Sequence, residues 1–215
     1  MDSLEKRAFE FDVRAEHDEE KGDIIVGRPI VYEKPTDISG MFEEVICAGA
    51  LDGADLRDVR FLVNHDLNKI PLARSRRNNG NSTMQLDVDK DGMAIRVSLD
   101  TENNADARAL YSAVRRGDIS GMSFMFGIDK ERWENLESDY PKRYVEKIST
   151  VVEVSAVTFP AYKETSISAR NKKALENAKR AVDTARSSAQ TAGEQKKPDE
   201  ELKLMKLKNQ ILGGI

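Results

Sequence analysis

The chain has 215 residues, 39% hydrophobic, 33% charged and only 6% aromatic, with a net charge of −4. Its length suits one sizeable domain with an appendage, or two small domains, and the modest hydrophobic share leaves part of it outside any packed core. The acidic balance argues against a dedicated duplex-DNA binder; one cysteine, Cys47, excludes an internal disulfide, and two histidines give no histidine-rich metal cage. No apolar run approaches the roughly 20 residues of a membrane helix. The opening MDSLEKRAFEFD carries charges where a signal peptide needs its apolar stretch. The expectation is an intracellular type of protein, with no membrane, cofactor or metal.

In chain order the pattern is mostly strand. DIIVGRPIVY (23–32) is rich in β-branched residues, and Pro29 predicts an edge or a bulge. VRFLVN (59–64) follows, then MQLDVD (84–89) and GMAIRVSLD (92–100), which Lys90-Asp91 can join as a hairpin. The period then changes. ENNADARALYSAVRRGD (102–118) reads as a helix capped by Asn104, with Ala107, Leu110, Ala113 and Val114 on its inner face. Arg115 and Arg116 complement the C-terminal dipole, and Gly117 supplies the left-handed stop. Strands resume with ISGMSFMFGI (119–128), RYVEKIS (143–149) and TVVEVSAVTF (150–159). Short strands around one clear helix predict a mixed, β-rich α+β fold, a largely antiparallel β-barrel or sandwich.

The predicted domain runs over 1–170. The remainder, 171–215, has no aromatic residue and holds ten Lys/Arg against six Asp/Glu, so it carries +4 and leaves −8 on the body. Ala174, Ala178, Ala181 or Val182, and Ala185 recur at helical spacing. A polar linker, SSAQTAGEQKKPDEE, and a short amphipathic piece, ELKLMKLKNQIL, complete this tail. It reads either as a solvated helix with a disordered end or as an arm that docks on a partner.

Three residues can carry chemistry. His65, in FLVNHDLNKIPLARS, sits where a strand becomes a loop, and the ordinary imidazole pKa of about 6.5 suits a general base. A lone histidine is more often structural or merely exposed, and Asp66 beside it points the other way in an extended chain. In ISGMSFMFG, Met122, Phe124 and Phe126 share one face of a strand, which turns Ser123 to the other face beside Gly121; Ser120 shares the phenylalanine face. Ser123 is then either a nucleophile awaiting a base or an ordinary surface-facing serine. Glu153 stands in a run of valines, where a buried carboxylate requires a partner such as an imidazole, a hydroxyl or an arginine. A carboxylate behind a histidine fixes its tautomer, although a plain salt bridge to Arg74 or Lys147 would also satisfy it. Cys47 reads as a bystander, Asp87, Asp89 and Asp91 as a solvated hairpin, and RSRRNNGNS (74–82) as a basic loop without the aromatics of a nucleic-acid site.

NHD with PLARS, RRGDISGMSFMF, and VVEVSAVTFPAY, in that order, resemble the prohead maturation proteases of tailed bacteriophages. GRPIVYE and FEEVICAGAL fit the same N-terminal pattern, and the resemblance covers roughly residues 8 to 170. That family is similar in fold to the herpesvirus maturation protease assemblin, which implies a barrel core with flanking helices. The resemblance implies a serine endopeptidase with Ser123 as nucleophile, His65 as general base and Glu153 orienting His65. It names no oxyanion donor: backbone amides, a water or an arginine such as Arg74 remain open. The implied partners are the major capsid protein with its scaffolding segment and the enzyme itself, through autoproteolysis and a homo-oligomer. No specific nucleic acid is implied, and the setting is the host cytoplasm, inside the assembling prohead. The alternative is a non-catalytic capsid assembly or scaffolding protein that retains the fold.

Overall fold

The structure, a computed structural model, describes residues 4–10, 13–158 and 175–191. The first five residues of the expected linker, SSAQT at 187–191, are helical rather than loose, while the rest of that linker, the amphipathic end of the tail and FPAY at 159–162 lie outside the described residues. Among the described residues eleven strands and two helices follow in order: β1 (Glu5–Glu10), β2 (Arg14–Asp18), β3 (Gly22–Val31), β4 (Thr36–Ile38), β5 (Phe42–Ile46), β6 (Asp58–Val63), β7 (Ala73–Arg76), β8 (Met84–Asp89), β9 (Gly92–Ser98), α1 (Ala105–Arg116), β10 (Gly121–Glu134), β11 (Lys142–Val157) and α2 (175–191).

The strands do not close into the expected barrel. They form two open sheets, one in the order β2-β3-β9-β8 and a seven-stranded one in the order β1-β10-β11-β5-β4, with β6 pairing β11 and β7. The reason is local. The β2-β3 and β8-β9 hairpins pair with each other through β3 and β9, antiparallel throughout, and form a sheet of their own. β11 is 16 residues long, more than its neighbours can cover, so it pairs with β10, β5 and β6. The β6 pairing is parallel, Glu153 opposite Arg60 through Ala156 opposite Val63.

Contacts divide the chain into two units, the larger covering residues 1–37, 44–132 and 143–166. One apolar cluster fills it, drawing Ile25, Ile30, Met93, Ile95 and Val97 from the smaller sheet. Phe61, Met122, Phe124, Phe126 and Val154 come from the larger sheet, and Ala107, Leu110 and Val114 from α1. The helix keeps the predicted caps: Asn104 accepts from the amides of Asp106 and Ala107, and Gly117 ends it at φ 79°. Pro29 falls within a register shift between Gly27 and Ile30, the expected bulge. Beside it Gly92 has φ 135°, and a Cβ there would stand 2.0 Å from the Ile30 carbonyl oxygen. In the smaller unit, Phe42 packs on Trp133 with ring centroids 5.0 Å apart, and Lys142 pairs with Glu43 at 2.9 Å. In α2, Ala178 and Val182 are buried, and the Arg186 guanidinium donates to the carbonyls of Leu136 and Ser138. No helix among the described residues is long and apolar enough to cross a membrane.

Charge is also buried. Arg7 donates to both carboxylate oxygens of Glu44, at 2.7 Å to Oε2, and Arg143 donates to Glu5 at 2.8 Å, to Glu131 and to Glu44 at 3.2 Å. Glu44 is 2% exposed, Arg143 4% and Arg7 8%, so each charge depends on its partners for the solvation it has lost. Burial raises the Glu5 carboxyl, but Arg7 and Arg143 outweigh it and hold that group below its usual range. A carboxylate depressed in the folded state stabilises the fold above its unfolded pKa, and that stability is lost as pH falls through the folded value. Stability measured by urea midpoint is therefore expected to hold above about pH 5 and to decline below about pH 4.3. Glu44→Gln is expected to remove about 2 kcal/mol at neutral pH, because it takes away the carboxylate that two buried guanidinium groups share and leaves them to Glu5 and Glu131. A midpoint unchanged in that variant would show the network to be dispensable.

Candidate active site

β6 delivers His65. Where the strand ends, two consecutive residues take left-handed backbone, Asn64 at φ 54° and His65 at φ 59°. Asparagine tolerates this conformation better than most residues, and here it is anchored as well. The Asn64 amide donates to the Ala156 carbonyl at 2.9 Å, and Asn64 Oδ1 accepts from the Thr158 amide and hydroxyl at 3.1 and 2.9 Å. The turn swings the imidazole back over the end of β11.

There it meets Glu153. Glu153 Oε1 lies in hydrogen-bonding contact with His65 Nδ1, while Oε2 accepts from the Ser155 hydroxyl at 2.6 Å. Ser155 Oγ in turn accepts from the His65 backbone amide at 3.1 Å. Glu153 is wholly buried and the imidazole 15% exposed. An ionised carboxylate only accepts hydrogen bonds, so Nδ1 carries the proton against it and Nε2 of the neutral ring keeps a lone pair. That is the tautomer a general base needs.

The sequence offered an imidazole, a hydroxyl or an arginine for Glu153, and the first two are both present. The salt-bridge alternative is not realised: Arg74 pairs with Asp58, Nη2 to Oδ2 at 2.6 Å, and Lys147 with Asp129 at 2.9 Å. The same pairing with Asp58 occupies Arg74, the arginine named for the oxyanion. Asp58 is held low, first by its hydrogen bonds from Arg74. Asp66 accepts from the Asn68 amide at 3.1 Å. Burial, followed by Glu33 and Glu146, pushes the Cys47 thiol up, which leaves it a poor nucleophile.

Ser123 is placed as alternation predicts, but not on a surface. Met122, Phe124 and Phe126 enter the core while Ser123, wholly buried, stays out of that cluster. On β11 Glu153 and Ser155 alternate with the core residues Val154 and Ala156, as Ser123 alternates with Met122 and Phe124 on β10. Ser123 Oγ donates to the Arg7 carbonyl at 2.6 Å, where β1 pairs with β10 and Ala8 stands opposite Ser123. The structure thus brings His65 and Glu153 together and does not join Ser123 to His65 by a hydrogen bond. Ser120 is exposed just before β10. Sequence reasoning missed Ser155 and Asn64. Ser155 was readable in principle, since it shares the face of Glu153 two residues away; the left-handed turn at Asn64 left no comparable signal.

The profile of a protein family described as Caudovirus prohead serine protease matches residues 9–180. No curated protein and no solved structure matches the chain.

The left-handed turn predicts its own mutational order. Asn64→Ala, which keeps a Cβ at φ 54° but loses the anchor to Thr158 and the tolerance of asparagine for left-handed backbone, is expected to cost about 1–2 kcal/mol by thermal or urea unfolding. Asn64→Gly, freed of the backbone strain, is expected to lose less. Equal losses would show that only the side-chain anchor matters.

Proposed function

Because the chain belongs to the caudovirus prohead serine protease family, a family of serine peptidases acting in capsid maturation, we propose that Ser123, His65 and Glu153 form its catalytic triad. The observation that carries this reading is the buried Glu153 bonded to His65 Nδ1, which leaves Nε2 for proton transfer. In the proposed mechanism Ser123 Oγ gives up its hydrogen bond to the Arg7 carbonyl and turns its proton to Nε2. It then attacks the scissile carbonyl carbon as His65 takes that proton. The imidazolium is stabilised by Glu153 and returns the proton to the leaving amine as the acyl-enzyme forms. Water, activated by the same imidazole, releases the product acid.

The substrates we assign are the scaffolding segment of the major capsid protein and the enzyme itself, cleaved in the host cytoplasm inside the assembling prohead. Within residues 1–170 lies the protease domain of this proposal. The basic segment 171–215 serves as the arm that brings the enzyme into the prohead and is removed by self-cleavage, and activity resides in a homo-oligomer. One observation favours the alternative, a non-catalytic assembly protein: the Ser123 hydroxyl is buried and committed to a backbone carbonyl.

Co-expression with the cognate major capsid protein, read by intact mass, separates the two. Wild type is expected to trim both the capsid protein and itself. Ser123→Ala and His65→Ala are expected to slow both cleavages by at least about 10⁴-fold while particles still assemble. Undiminished cleavage in Ser123→Ala would transfer the nucleophile to Ser120, and a wild type that cuts nothing while supporting assembly would favour the scaffold role.

A further inference from the structure

Resting on the assignment of His65 as base and Glu153 as its partner, we propose that Ser155 is a positioning residue of the same site. Its hydroxyl orients the Glu153 carboxylate and pins the His65 backbone at once, and so fixes the direction in which Nε2 presents its lone pair. The geometry uses both faculties of a hydroxyl without conflict. The one proton goes to Glu153 Oε2 at 2.6 Å, and a lone pair receives the His65 amide at 3.1 Å. Ser155 therefore touches the acid through its side chain and the base through its backbone.

The surroundings make this an expensive residue to keep for packing alone. Ser155 is wholly buried in a stretch of β11 whose neighbours Val154 and Ala156 are core, and an apolar side chain there would need no partner. Register explains how one hydroxyl reaches both groups. Ser155 stands opposite Leu62 in the parallel β6–β11 pair, and the left-handed turn at Asn64 and His65 folds the His65 amide back onto β11. Without the hydroxyl, Glu153 Oε2 and the His65 amide both lose a bond, and the carboxylate is free to rotate away from Nδ1.

Arg60 faces Glu153 across the register but pairs with Asp58 at 3.2 Å, and Asp66 accepts from the Asn68 amide. A change at Ser155 therefore reaches the imidazole through Glu153 and the His65 backbone.

The test needs no knowledge of the natural substrate. The full chain is labelled with a fluorophosphonate, which phosphonylates an activated serine with loss of fluoride, and the rate is followed by intact mass from pH 5 to 9. Ser155→Ala removes the hydroxyl. Ser155→Cys does so with little change in volume and guards against a variant that fails to fold, and Ser155→Thr keeps the hydroxyl. Both Ala and Cys are expected to lower the plateau rate about tenfold and to move the pH midpoint downward, because a misaligned carboxylate supports the imidazolium less well. Thr is expected to recover rate and midpoint. Wild-type rate and midpoint in Ala and Cys would overturn the role, as would a lowered plateau with an unmoved midpoint that Thr does not recover. Ser123→Ala, run alongside, tells the two failures apart. If it labels as fast as wild type, the triad itself falls and Ser155 with it. If it is inert while the Ser155 variants behave as wild type, Ser155 alone loses its role.

Discussion

A carboxylate with no solvent contact, set among valines in the middle of a sheet, is the constraint around which this site is organised. Left alone, Glu153 would cost several kcal/mol or take up a proton. It is instead bonded on both oxygens, by the His65 imidazole and by the Ser155 hydroxyl. His65 is held in turn by the hydrogen bond that its backbone amide donates to Ser155 Oγ, and Asn64 before it by the bonds it accepts from Thr158. Placing one costly charge has fixed a chain of side chains, and the free ring nitrogen at its end is what chemistry can use.

Parallel pairing makes that chain possible. His65 and Glu153 are 88 residues apart in sequence. A hairpin could not bring them together, since antiparallel partners joined by a short turn lie close in sequence. The long β11 provides the space, offering its C-terminal half to β6 after its first part has been used elsewhere in the sheet. Among the described residues the main path of that sheet ends at β1 and β4, which do not pair with each other, so it stays open.

Arg7 links the site to the stability of the larger unit. Its side chain neutralises Glu44 within the buried ion network, and its backbone carbonyl receives the Ser123 hydroxyl. The strand that closes an electrostatic account at one point thus occupies the candidate nucleophile at another. Activity on the proposed mechanism requires that this second contact yield to the imidazole while the first persists.

Much of this was legible in the sequence. The α1 caps, the Pro29 bulge, the β8-β9 hairpin and the core face of β10 are local matters of period two, period 3.6 and turn chemistry, and they emerge as read. The short strands β2, β4 and β7 were not legible, having too few apolar residues to show a period. The two stretches read at 143–149 and 150–159 proved to be one strand, as nothing at Ser149-Thr150 breaks an extended chain. At the candidate site, residue types marked His65, Ser123 and Glu153 only as candidates, each with an ordinary structural reading beside it, and it was the ordered resemblance to a family that joined the three. Only the tertiary structure decided that Glu153 meets His65, that Ser155 binds both, and that Ser123 is bonded to Arg7. Those choices depend on which strands become neighbours and in what register, and strand pairing is set by the burial of the whole chain rather than by any local run of residues.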